Sequence, residues 1–449
     1  MTATAAAAEA SVTSNRLQRS LGVWFGVAVG VGSMIGAGIL RAPATVAATL
    51  PVPWLFLGAW LIGGAYALLG ANAMAELATI SPRSGGQYVF VRRALGPYAG
   101  FLVGWNDWIS TAASVSAVAI VEAEALGMLV PPLAPYRVAV AEACLAVTAV
   151  VLLRGTRESD RAQRTTSLVK ALVLLALVGA CVAWRVRGGT VPAAAPHAAP
   201  PHGMALVAAL MVALQGIIFA YDGWMGVAYF AGEVKDPGRE IPRALIGGLL
   251  STVAIYLLLN AAFLIVLPLD ALAASPLAAV SVATEVFGSR GGVLVQLLIA
   301  VALPSALVAN ALCASRVAFA LGGDRLAPSA FARVNPGGTP STALVASLAV
   351  AALALLSGTF ERLIAICAFL FVASYALSFT SVFVLRRREP HVARPYRAWG
   401  HPWTTGIVLL GSIAFLVQTV AADLRGGIVV AGLLVASYPA FRMITRSRS

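Results

Sequence analysis

Two short runs, Gly32-Ser33-Met34-Ile35-Gly36-Ala37-Gly38 and Ala220-Tyr221-Asp222-Gly223-Trp224-Met225-Gly226, interrupt apolar segments long enough to cross a bilayer. They put helix-weakening residues where unpaired backbone is most costly, so they can persist only where the freed groups line a cavity. Taken alone, Gly32-x-x-x-Gly36 reads as a small-residue packing face between membrane helices. Packing does not require the second interruption. Breaks at corresponding places in two halves of a chain point instead to a substrate site between structural repeats.

The rest of the chain supplies the membrane. Of its 449 residues 60% are hydrophobic and only 11% charged, too little polar surface for a soluble globule. Apolar runs of spanning length lie near 21–48, 54–79, 98–129, 138–153, 166–184, 204–231, 244–267, 291–321, 342–357, 360–385, 403–421 and 426–441. The net charge of +13 is scattered over short loops, with no aromatic-interleaved patch for nucleic acid. Twelve spans put both termini on one side. Of the 31 Lys and Arg, 22 fall on the termini and loops of that side, seven on the other (Arg41, Arg137, Arg185, Arg187, Arg290, Arg362 and Arg425), and Lys170 and Arg316 within spans. Both termini are therefore expected in the cytoplasm, with the chain in the cell membrane.

The first break offers amides. Its helix should unwind around Ser33 to Gly36 and restart near Ala37, turning the amides of Ala37, Gly38 and Ile39 and a positive helix end toward mid-membrane, where a carboxylate binds without a countercharge. The second offers carbonyls. The sixth span runs the opposite way, so its first half should end near Phe219 and expose the carbonyls of Phe219, Ala220 and Asp222 to an ammonium group. Amides on one wall and carbonyls on the other suit a zwitterion of α-amino acid type, with Phe219, Tyr221 and Trp224 as apolar walls or a gate.

The ordered motifs 32–40, 75–88 (Ala-Glu-Leu-Ala-Thr-Ile-Ser-Pro-Arg-Ser-Gly-Gly-Gln-Tyr), 220–224, 232–244 and 315–324 resemble those of the amino acid-polyamine-organocation superfamily. Ala-Tyr-Asp-Gly-Trp is most similar to its L-type amino acid transporter branch. The resemblance implies an all-α integral membrane fold of twelve transmembrane helices. Five and five inverted helices form a leucine-transporter-like repeat with helices 1 and 6 broken, and two peripheral helices follow. The implied layout is a disordered cytoplasmic tail (1–20), a first repeat (21–186), an extracellular loop (187–203), an inverted repeat (204–385), and helices 11 and 12 with the C-terminal tail (386–449).

By the same resemblance the substrate site comprises Ser33, Met34, Ile35, Gly36, Ala37, Gly38, Phe219, Ala220, Tyr221, Asp222, Gly223 and Trp224. Ala37 carries no hydroxyl where many relatives have serine. The implied function is a sodium-independent carrier of α-amino acids working by alternating access, as exchanger or proton symporter. A carrier of polyamines or organic amines is the alternative.

Membrane-embedded charges are functional candidates by default. Lys170 can snorkel toward the cytoplasm, or, as the resemblance implies, place its ammonium where sodium-coupled relatives hold sodium. Asp107, between Trp105 and Trp108, either faces the cavity as a second coupling residue or bonds a neighbouring helix. Glu76 is expected to pair with Arg83 or Arg92, and Arg316 with Asp324. Asp222 can favour cationic substrates or stay occupied locally; neutral or broad selectivity is preferred.

No signal peptide, metal spacing or cofactor motif is found. His197 and His202 are expected in solvent, and Cys144, Cys181, Cys313 and Cys367 in packing. Loop Leu129–Arg137 lacks the cysteine that links eukaryotic L-type relatives to a heavy subunit, so no such partner is expected. With neither His-Glu-x-x-His nor Gly-x-Ser-x-Gly an intramembrane enzyme is remote, and embedded charges are too few for a channel lining.

Overall fold

A computed structural model describes residues 22–83, 85–154, 159–192, 200–335, 338–356, 359–422 and 424–446. The tail at 1–20 and His197 lie outside them. The described residues are helical, with no strand among them. The helices in chain order are α1 (Val23–Met34), α2 (Ala37–Thr49), α3 (Pro53–Ile80), α4 (Gln87–Leu95), α5 (Pro97–Leu129), α6 (Arg137–Arg154), α7 (Ser159–Val186), α8 (Met204–Tyr221), α9 (Gly226–Tyr229), α10 (Pro237–Val266), α11 (Leu269–Ala273), α12 (Ala278–Phe287), α13 (Ser289–Gly323), α14 (Ser341–Leu355), α15 (Phe360–Arg388), α16 (Trp403–Ala422) and α17 (Leu424–Arg446).

Each apolar run of the sequence coincides largely with helix among the described residues, interrupted at Ile35–Gly36 and at Asp222–Met225. Among the described residues nine helices are long and apolar enough to span a membrane, and α1 with α2, bent by 42°, pass the same test together, which makes up to ten if the pair is one span. α14 has only 15 residues, short of the roughly 20 a perpendicular span needs.

Local chemistry sets several helix starts. Proline opens α3, α5 and α10, where its missing N–H costs no intrahelical bond. Gly96, at φ +97°, turns the chain sharply between α4 and α5. α5 runs through the centre of the bundle, packed on α4, α6, α13, α14 and α15. Its buried face is dominated by Ala, Ser, Gly and Val, small side chains that let neighbouring helices approach closely.

Ion pairs organise the two ends of the bundle differently. At the end where α3, α4, α13 and α15 meet, Asp324 binds Arg83 and Arg92, Glu389 binds Arg93, and buried Glu76 binds Arg386 and Arg394 and accepts from the Ala398 amide. Glu76 therefore pairs with arginines of α15 and the segment after it rather than with Arg83 or Arg92, which Asp324 takes. Arg316 reaches Glu233 at 3.4 Å, not Asp324. Each carboxylate takes the guanidinium that helix packing brings near, which proximity in sequence does not reveal. At the opposite end Arg41, within α2 rather than in a loop, holds Glu124 at 2.8 Å and Glu361 at 3.1 Å.

Candidate site between the two helix breaks

The first break is narrower than the sequence suggests. α1 stays helical through Ser33 and Met34, with the Ile35 amide still bonded to the Val31 carbonyl at 2.8 Å, so only Ile35 and Gly36 leave the helix. Buried backbone keeps each hydrogen bond it can, because losing one in the interior costs about 1–3 kcal/mol. α2 restarts at Ala37 with no side-chain cap. Its leading amides, those of Ala37, Gly38 and Ile39, belong to the class of N–H groups that no helix satisfies internally. The Ser33 hydroxyl is buried without a hydrogen-bond partner.

The second break is longer. α8 continues to Tyr221, two residues past the expected end at Phe219, and the chain is irregular from Asp222 to Met225 before the four-residue α9. Gly223 sits at φ +102°, where a side chain is strained, and a Cβ there would lie 2.7 Å from that of Ser33.

The two breaks touch. Gly223 packs on Ser33 and Met34, and a Cβ on Gly38 would fall onto Ala220, 2.9 Å from its Cβ. The Gly38 requirement thus comes from helix packing. Gly36 is different: a Cβ there would meet Ala306 at an ordinary 3.5 Å.

Tyr256 of α10 joins the breaks, its hydroxyl lying 2.6 Å from the Met34 carbonyl and 3.1 Å from the Ala220 carbonyl. The Ala220 carbonyl is one of those read as ammonium ligands. One hydroxyl has one proton, so it can satisfy only one of its two carbonyls fully at a time.

The aromatic residues part company. Phe219 meets Phe360 edge-on at 5.8 Å, and the Arg41 guanidinium lies 5.7 Å from the Phe360 ring. Trp224 packs against Tyr375 at 5.3 Å with the rings tilted by 45°. Tyr221 turns away into Trp60, Tyr256 and the glycine surface at Gly63 and Gly64, so its ring serves packing.

The embedded charges divide between two regions. Lys170 lines the same crevice as Ile35 and Gly36, its ammonium buried with no hydrogen-bond partner. Asp107 accepts from the Tyr229 hydroxyl at 2.7 Å, and Asp222 accepts from Tyr375 at 2.5 Å. Asp107 is buried and Asp222 half-buried, each held by a tyrosine rather than a cation; the second oxygen of Asp107 has no partner. Just past α9, burial raises the Glu233 carboxyl while Arg316 opposes the shift.

Among the described residues no group of His, Cys, Asp and Glu could hold a metal. The four cysteines are free thiols. Sequence reading missed Tyr256, Tyr375, Tyr229 and the bridging role of Arg41. Tyrosines in otherwise apolar spans and an arginine five residues past a break were the available signals.

The family model described as amino acid permease matches residues 21–436. The serine/threonine exchanger SteT of Bacillus subtilis is 29% identical over 421 residues, covering 91% of this chain and 93% of that protein. Uncharacterized transporters of Mycobacterium bovis and Mycobacterium tuberculosis are 36% identical over 441 residues, covering 96% of this chain and 93% of each relative.

Proposed function

The chain belongs to the amino acid permease family, and from that premise we propose that it exchanges α-amino acids across the cell membrane by alternating access, without sodium. As a multi-pass transport protein of this family it is not an enzyme. The proposed architecture is twelve spans in a five-plus-five inverted repeat with two peripheral helices, α16 and α17, and both termini in the cytoplasm. The arginine-rich loops support that orientation.

The observation that carries the reading is the contact between the breaks. It sets the uncapped amino terminus of α2 beside the carbonyl end of α8, an arrangement that favours a carboxylate on one side and an ammonium on the other. Backbone groups of residues 33–38 and 219–224 would hold those main-chain charges, leaving the substrate side chain to decide selectivity. The printed activity of the Bacillus subtilis relative supports exchange and makes serine and threonine the first substrates to test. Lys170, beside the first break, takes the role of a resident cation. Asp107 favours a second reading, proton symport, since its carboxylate lies buried with no cation against it. The chain is proposed to work without a heavy subunit.

The test is uptake of labelled serine into proteoliposomes loaded with unlabelled amino acid, with sodium and a proton gradient supplied separately. Exchange predicts counterflow that saturates and needs neither ion. Amines lacking the carboxylate, or acids lacking the ammonium, should compete about tenfold worse or more. Equal competition by a decarboxylated analogue would revive the polyamine alternative, and strict sodium dependence would sink the Lys170 assignment.

A further inference from the structure

A crevice of about 330 Å³ lies between the first break, α2, α7, α12 and α13, away from the carboxylate cluster of Asp107 and Asp222. Its walls are aliphatic, with Ile39, Val173, Leu177 and Leu298 among them. Its rim faces outward: Val301 is 77% exposed and Leu294 58%, on a helix apolar enough to span the membrane. Whatever enters therefore comes from the hydrocarbon phase. Among the described lining residues Lys170 alone bears a charge, and its ammonium is buried without a partner.

We propose that this crevice binds a long-chain fatty-acid anion drawn from the bilayer, with its carboxylate on the Lys170 ammonium and its tail along α7 and α13 toward Val301. A lone ammonium in an apolar wall is costly, and a carboxylate relieves that cost through a charge-assisted hydrogen bond. The volume is at the lower end of the range of small-molecule sites, about 300–1,000 Å³, which suits one chain rather than a two-chain lipid. Binding stands apart from the transport reading. Its consequence rests on that reading: a carboxylate that engages Lys170 beside Ile35 and Gly36 stops the first break from rearranging and inhibits exchange.

The test is photolabelling of the full chain in phosphatidylcholine vesicles with a diazirine-bearing palmitic acid, followed by peptide mapping. Adducts are expected on the peptides carrying Val169–Leu177 and Leu294–Leu303. Palmitate should compete about tenfold better than hexadecanol, the scale of one lost charge-assisted contact. Val301→Trp, outside the substrate site, should cut labelling about fivefold with serine exchange intact, and Lys170→Gln should erase the preference for acid over alcohol. Equal competition by hexadecanol against the wild type, or adducts spread over other lipid-facing helices, overturns the proposal. Labelling requires no substrate, so it stands or falls separately from amino acid transport.

Discussion

The first break spans two residues, has room for a Cβ at Gly36, and lies beside an ammonium with no partner. The second spans four, turns at a glycine with φ +102° whose neighbour leaves no room for a side chain, and continues into α9 between two carboxylates each held by a tyrosine. One is loosely specified and the other over-determined. Elements that rearrange come from the less constrained part of a structure, so the first break is expected to be the moving part and the second the fixed frame.

The largest expected effect is at the frame. Gly223→Val adds strain at a positive φ, about 1–3 kcal/mol, and overpacking against Ser33 of similar size. Uptake should fall by about a hundredfold or more with protein still in the membrane, measured as initial rate per transporter. A mild phenotype would break the contrast between the two regions. Next is Lys170→Ala, which removes the free cation beside the moving part; serine exchange should drop roughly ten- to a hundredfold, the scale of about 1.5–3 kcal/mol for a charged contact. An unimpaired variant would make Lys170 a snorkelling residue.

Tyr256→Phe cuts the link between the regions. A hydrogen bond nets about 0.5–1.5 kcal/mol, so a loss of about three- to tenfold is expected in the apparent affinity measured by competition. Asp222→Asn should change serine uptake by less than about threefold, since the amide oxygen still accepts from Tyr375. If the wild type carries arginine well and this variant loses only arginine, Asp222 selects substrate after all. The smallest effect belongs to Gly36→Ala, expected within about twofold because its Cβ makes ordinary contact; a large loss would show that this glycine admits the ligand.

Much of this contrast was legible in the chain. Both breaks announced themselves through residue type, because glycine and polar residues in an apolar run have few structural explanations. The long helices followed from run lengths, whereas α4, α11 and α12 lie on no such run. The span of each break was misjudged because persistence of the last helical turn depends on which carbonyls remain reachable, as at Ile35 and Val31. Tyr256 was invisible for a related reason: it bonds backbone atoms 36 and 222 residues away, and a main-chain partner leaves no trace in residue identity. Gly36 and Gly38 also look alike in sequence, yet Gly38 is fixed by Ala220 whereas Gly36 is not.

Arg41 clasps three helices with one guanidinium, and its two carboxylates are unequally wet: the Glu124 side chain is 18% exposed and that of Glu361 53%. Dissolved ions weaken the exposed limb and spare the sheltered one, since screening acts on charges that water reaches. The clasp therefore yields to salt one limb before the other. At the far end the exposed pair of Arg83 with Asp324 is open to the same screening, while Glu76, 2% exposed, is sheltered from it. Rising ionic strength would therefore act on the Arg41 end of the bundle through Glu361 first.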